Sequence, residues 1–231
     1  MMPNMHTGVK ASVLDHGYVQ LYDYMGDDLR IVNNARQSFG QSSVEFGEKE
    51  EGLINFLMKN RHGTPFEAVV YQFNVKCPIF VAREWFRHRI GSFNEYSGRY
   101  SKMINEFYIP ENVRTQTGKP GAYKFGPIDD GSEAWFKSEL YASCGNAFIL
   151  YENALKAGVA KELARLVLPV NIYTQFTWTV NLRSLLNFVS LRSAENAMYE
   201  IRRYSLTIEN MIHETVPSAY KAFVANGGEA P

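Results

Sequence analysis

Ala68 to Arg89, AVVYQFNVKCPIFVAREWFRHR, changes its periodicity once, at Pro78. Before the proline, Val69, Tyr71, Phe73, Val75 and Cys77 alternate with Val70, Gln72, Asn74 and Lys76. That two-residue repeat predicts a strand with one apolar face. Cys77 falls on the apolar face, where a thiol behaves as a small hydrophobe. After the proline the spacing turns helical. Ile79, Ala82 and Phe86 form a stripe with Val81 and Trp85 beside it, and proline suits the first turn of a helix. The predicted helix runs from Pro78 to about Arg89. It would set Glu84, Arg87 and His88 at i, i+3 and i+4 on one face, where the acid can hold Arg87 toward a ligand.

The next stretch, Arg87 to Tyr100, reads RHRIGSFNEYSGRY. The guanidinium groups of Arg87, Arg89 and Arg99 repel one another unless anions lie among them, and their planar forks suit phosphate. Two readings stand at this point: a solvated basic helix end, or a cradle for an oxyanion or nucleotide. The Ser97-Gly98-Arg99 tail adds a hydroxyl, a permissive backbone and a charge, which favours the cradle. Ser97 as a nucleophile would need a placed base, with His88 the nearest candidate, and nothing brings the two together. Gly91 is expected to end the helix, with Ser92 to Tyr100 as loop or short strand.

Upstream, residues 1–7 read as a ragged terminus. Gly8 to His16 and Tyr18 to Tyr24 read as short strands joined at Asp15-His16-Gly17. Asp27 is placed to cap a helix to about Arg36, and Ser38 reads as a helix-end polar residue or a phosphate contact. Glu45 to Asn60 is predicted helical, with Phe46, Leu53, Ile54, Leu57 and Met58 near helical spacing. Thr64-Pro65 with Glu67 forms a capping-box pattern. The helix start it implies would aim free N–H groups at an anion. His62 beside it is either an incidental loop histidine or a base.

Downstream, Pro110 to Gly131 reads as a surface excursion. Ser132 to Lys156 is a long helix ended by Gly158. Val159 to Leu168 is a shorter helix stopped by Pro169, with Arg165 set apart from Leu163, Ala164 and Val167. Asn171 to Val180 alternates again, presenting Ile172, Thr174, Phe176, Trp178 and Val180 on one face. Asn181 is a good N-cap for a helix whose core stripe is Leu182, Leu185, Leu186 and Val189. Arg183 and Asn187, one turn apart on another face, are either an exposed pair or a grip on the edge of a flat heterocycle. Arg192 ends that segment, and Glu195 to about Glu214 is predicted as a final amphipathic helix.

Lysine plus arginine (24) balances aspartate plus glutamate (24), so no global basic field exists to drive non-specific nucleic-acid binding. Cys77 and Cys144 have no metal-ligand spacing and make no disulfide framework, which suits a cytoplasmic setting. No apolar run has the length of a membrane span, and the N-terminus lacks a signal peptide's apolar core. No domain boundary is visible, so residues 1–231 read as a single domain. Dinucleotide and phosphate-loop fingerprints, a G-x-S-x-G elbow, H-E-x-x-H and C-x-x-C are missing. A nucleotide would therefore be held by arginine forks, loop amides and helix starts, with no metal.

Arg87-His88-Arg89, seven residues, then Ser97 is similar to the R-H-R-x7-S signature of the flavin-dependent thymidylate synthases. The resemblance continues through Gly98-Arg99-Tyr100, His62 to Glu67, Pro78 to Arg89, Glu162 to Pro169 and Asn171 to Arg192. It implies an α+β fold with a mostly antiparallel sheet flanked by helices, in a homotetramer whose sites lie between subunits. The activity implied is reductive methylation of dUMP to dTMP. The carbon donor would be 5,10-methylenetetrahydrofolate, and FAD reduced by NADPH would make the transfer directly, without a protein nucleophile. FAD would meet His62, Thr64, Arg87, His88, Arg89, Glu95, Asn181, Arg183 and Asn187. The nucleotide would meet Glu84, Arg87, Glu95, Ser97, Gly98, Arg99, Arg165 and Arg192, with Arg192 stabilising charge on the uracil. Three positions depart from the family: Glu84 stands in place of glutamine, and Ala68 and Asn196 stand where some relatives carry histidine. The competing reading is a non-catalytic nucleotide- or RNA-binding protein that uses the arginines electrostatically.

Overall fold

The structure, a computed structural model, describes residues 7–231. The first six residues, within the expected ragged terminus, lie outside that range. In chain order the elements are β1 (Lys10–Val13), β2 (Gly17–Met25), α1 (Asp28–Arg36), α2 (Glu48–Lys59), β3 (Val70–Pro78), α3 (Ile79–Trp85), β4 (Ser92–Glu95) and β5 (Arg114–Thr117). There follow β6 (Lys124–Pro127), α4 (Asp130–Lys156), α5 (Lys161–Ala164), β7 (Tyr173–Asn181), α6 (Leu182–Arg192), α7 (Tyr199–Thr215) and α8 (Pro217–Ala225). The main sheet has the order β1-β2-β3-β7-β4, and every pair in it is antiparallel. This is the α+β architecture expected.

The two alternating strands pair with each other at the centre, Phe73 opposite Trp178 and Val75 opposite Phe176. Val69, Tyr71, Phe73, Val75 and Cys77 are all fully buried, as are Phe176, Trp178 and Val180 on β7. They pack against α6, α7, α2 and α8 in one core. The opposite face is polar: Asn74 Oδ1 accepts from Tyr18 Oη at 2.8 Å and from Gln175 Nε2 at 2.9 Å. A second cluster of Phe107, Cys144, Phe148, Tyr151, Ala164 and Ile172 lies under α4.

Asp27 caps α1 through Arg30 N at 2.7 Å, and Asn181 caps α6 through Ser184 N at 2.9 Å, both as predicted. Other boundaries move. Helix α2 starts at Glu48 after Gly47, with Glu48, Glu50 and Glu51 in the first turn, where the helix dipole favours acids. Thr64–Ala68 is a short 3-10 turn with Gly63, which has no side chain, at the cap position in place of Thr64, and Glu67 pairs with Arg183. The surface excursion contains the β5–β6 hairpin. Between Val159 and Leu168 only the short α5 and a 3-10 turn form, leaving Leu163 and Val167 exposed. The helix predicted from Glu195 to about Glu214 forms as α7 but begins at Tyr199, and it is not the last: Pro217, lacking an N–H, starts a further helix, α8. Buried Asp28 accepts from Ser218 N and Ala219 N at 2.8 and 2.9 Å, capping that second helix from a distant element.

The correction nearest the site is at α3, which stops at Trp85 and not at Arg89. Trp85 is fully buried against the rings of Phe176, Trp178, Phe188 and Tyr204, at centroid distances of 4.8 to 5.8 Å. This packing fixes the end of the helix, and the chain turns through Phe86 toward the edge strand β4. Arg87 and His88 therefore leave the helical face they were expected to share with Glu84.

Candidate functional site

Two clefts take up most of the predicted site residues. The larger, about 620 Å³, is lined by Arg87, His88, Arg89, Asn181, Arg183, Asn187 and Arg192, with Glu67, Ser184 and Leu191. It sits where β7 runs into α6. The Asn181 cap fixes the start of that helix, and the next turns present Arg183 and Asn187 on one side, so the pair lines a cleft. Arg183 Nη1 reaches Glu67 at 2.7 Å, and its Nε donates to the carbonyl of Pro231 at 3.1 Å. Arg183 also lies against Gly63, where a Cβ would come within 2.3 Å of its Nε. The glycine is required by that close approach.

Deeper in the same cleft Arg192 is held on three sides. Its Nε donates to His88 Nε2 at 3.0 Å, its Nη1 pairs with Glu84 Oε2 at 2.9 Å, and its Nη2 donates to the Glu84 carbonyl at 3.3 Å. The acid expected to hold Arg87 thus holds Arg192, since α3 ends before the i, i+3 geometry applies. Burial, helped by the Arg192 charge, pushes His88 down to about 4, so the imidazole is neutral at working pH and can accept that hydrogen bond. Arg87 and Arg89 are exposed, and among the described residues their side chains make no hydrogen bond or ion pair.

The smaller cleft, about 270 Å³, is lined by Arg83, Glu95, Tyr96, Gly98, Met103, Arg165 and Thr174 among others. Glu95 ends β4 and accepts from Thr174 Oγ1 at 2.7 Å. The turn after it is closed by Ser97, whose carbonyl accepts from Tyr100 N at 3.1 Å and Ser101 N at 3.0 Å. Gly98 is buried, and a Cβ there would come within 2.7 Å of Met103 Sδ and 3.2 Å of Arg165 Cδ. A side chain there would displace Met103 first and crowd Arg165. Ser97 and Arg99 flank the cleft without lining it. Ser97 Oγ accepts from Arg99 N at 3.3 Å, and Arg99 pairs with Glu162 at 3.5 Å.

Some residues fall elsewhere. His62 and Thr64 line a third cavity with Arg36, Ser38, Phe39 and Phe56, on the far side of the loop that carries Glu67. A single chain does not bring them to the larger cleft. Arg83, which no sequence pattern singled out, stands one residue before Glu84 and shares the smaller cleft with Arg165. Its guanidinium makes no hydrogen bond or ion pair among the described residues. Both thiols are buried, and burial pushes Cys77 well above the ordinary thiol range. Among the described residues no helix is long and apolar enough to cross a membrane.

The fold is antiparallel α+β, and two clefts that each carry several arginines are lined by residues on either side of β4 in the chain. Comparison with known proteins makes this specific. The profile of a family described as "Thymidylate synthase complementing protein" matches residues 20–218. A flavin-dependent thymidylate synthase from Thermosipho africanus is 45% identical over 94% of this chain and 94% of its own. One from Thermus thermophilus is 45% identical over 91% of this chain and 77% of its own. In fold, the UMP/dUMP methylase PolB from Streptomyces cacaoi, crystallised with 5-Br dUMP, superposes with a TM-score of 0.88 at 33% identity, covering 96% of this chain and all of that one. The chain belongs to the flavin-dependent thymidylate synthase family and is an enzyme.

Proposed function

We propose that this enzyme converts dUMP to dTMP by reductive methylation. It would use 5,10-methylenetetrahydrofolate as carbon donor, FAD as bound carrier and NADPH as reductant, working in the cytoplasm as a single-domain subunit of a homotetramer. One observation carries the reading. The fourteen residues from Arg87 to Tyr100 contribute to both clefts, Arg87 to Arg89 before β4 to the larger and Glu95, Tyr96 and Gly98 at its end to the smaller. The relatives' names supply the flavin and the thymidylate, and the PolB structure supplies a bound uracil nucleotide.

The larger cleft suits FAD by its donors: unpaired Arg87 and Arg89 for a pyrophosphate, Asn181, Arg183 and Asn187 for polar ring edges, and Leu191 and Ile90 as apolar wall. When bound, the flavin supplies hydride and carries the one-carbon unit. The chain's own part is to orient and polarise. Arg192 stabilises negative charge developing on the uracil, a preorganised electrostatic contribution. The smaller cleft, with Arg165 and Arg83, suits the nucleotide phosphate, and Glu95 stands between the two ends. His62 and Thr64 would complete the flavin site of a neighbouring subunit. Exposed apolar residues on α4 and after it, Trp135 at 65%, Tyr141 at 74% and Leu166 at 75%, fit burial between subunits.

Purified enzyme should be yellow or take up FAD on titration, and dUMP should perturb the flavin spectrum. Formation of dTMP should require FAD, NADPH and the folate together, with UMP assayed in parallel as competing substrate. Colourless protein that binds neither FAD nor dUMP would overturn the proposal.

A further inference from the structure

A guanidinium carries five N–H donors. Three of those on Arg192 are taken by the chain itself: one by neutral His88 and two by Glu84, through its carboxylate and its own main-chain carbonyl. Two remain, one on each terminal nitrogen. The holding groups come from the end of α3 and the turn after it, while Arg192 ends α6, so distant parts of the chain fix one planar fork. The fork has little freedom to swing: the Arg192 side chain is 19% exposed, and the His88 ring stands edge-on to Phe188 at 4.9 Å. Glu84 meets Arg192 through both its main-chain carbonyl and its Oε2, and that carboxylate bond is the Glu84 side chain's one hydrogen bond among the described residues.

We propose that Glu84 is a positioning residue for Arg192 and not a contact of the nucleotide. It holds the guanidinium so that its two free N–H groups present a fixed pair to the acceptor edge of the base. Its carboxylate also compensates the Arg192 charge before negative charge develops on the substrate. This inference rests on the reading of Arg192 given above, and it divides binding from turnover. A nucleotide contact contributes to dUMP affinity, whereas a residue that aims Arg192 contributes to the step in which charge develops.

The test is steady-state kinetics on FAD-loaded enzyme, with dUMP affinity measured separately by its perturbation of the flavin spectrum. Glu84→Ala should lower kcat about 30-fold, the loss of a charge-assisted hydrogen bond, while KM and Kd for dUMP stay within about 3-fold. Glu84→Gln keeps an acceptor oxygen at the same reach and should recover most of the loss, to about a third of parental kcat. Should Glu84→Ala not fold, Glu84→Asp gives the same division, because it withdraws the carboxylate by one methylene while keeping its charge. The inference is overturned if Glu84→Ala raises KM and Kd with kcat unchanged, if it changes nothing, or if Glu84→Gln is as impaired as Glu84→Ala. Arg192→Ala is run alongside. If that variant keeps full turnover, the reading of Arg192 itself fails. If it is inactive while Glu84→Ala matches the parent, only the positioning role is lost.

Discussion

The two clefts beside β4 hold their arginines differently. In the larger, Arg183 is paired with Glu67 and Arg192 with Glu84, with His88 neutral beside Arg192, and only the exposed Arg87 and Arg89 at its edge are unpaired among the described residues. In the smaller, Arg83 has no partner among the described residues, and Arg165 has only a 3.4 Å contact to the Glu162 carbonyl. Paired arginines are already aimed, so a ligand meets fixed geometry. Unpaired arginines are charges that an anion completes. The first arrangement suits orientation and polarisation of a reacting ring, and the second suits capture of a phosphate.

Substitutions in the two clefts should therefore fail in different kinetic constants. Arg192→Ala is expected to have the largest effect, lowering kcat about 10³-fold with flavin still bound, as for loss of a donor to a developing anion. Arg165→Ala should instead raise KM for dUMP about 50-fold, the cost of a charged phosphate contact, with a smaller change in kcat. Its residual affinity should fall further on adding Arg83→Ala. If Arg165→Ala lost kcat at unchanged KM, the contrast between the clefts would break.

Gly63→Ala should weaken FAD binding about 10-fold in a flavin titration, because the new Cβ displaces Arg183 from Glu67. Asn181→Ala should cost about 1 kcal/mol of stability through loss of the α6 cap, seen as a drop of roughly 2–4 °C in the Tm of flavin-free protein. A further effect is one of pH. His88 is held at about 4 in the folded protein against an ordinary 6.5, so the unfolded chain binds more protons between those values. Its contribution to stability is present above pH 6.5 and is lost as pH falls toward 4. Denaturant unfolding across that window should show a shallower decline in His88→Gln than in the parent.

Where reach is local, the chain is legible. The alternation of Val69 to Cys77 and of Ile172 to Val180 marked both central strands, and Asp27 and Asn181 marked their helix starts through side-chain caps a few residues long. Part of the cleft lining was legible as residues, since Arg183 and Asn187, one turn apart, do line one cleft. Its partnerships were not. The length of α3 is set by the rings around Trp85, which come from β7, α6 and α7. The split between α7 and α8 is marked by Pro217, yet the cap that completes it comes from Asp28, far away in sequence.

The sequence by itself determined strands β1, β2, β3 and β7, the capped helices, and many of the side chains that line the clefts, because period and capping are properties of neighbours along the chain. Only the tertiary structure decided that Glu84 faces Arg192 and not Arg87, that the arginines divide between two clefts, and that His62 and Thr64 lie away from both. Those are contacts between segments distant in sequence. They are fixed by which side chains share buried space, and no local pattern records that.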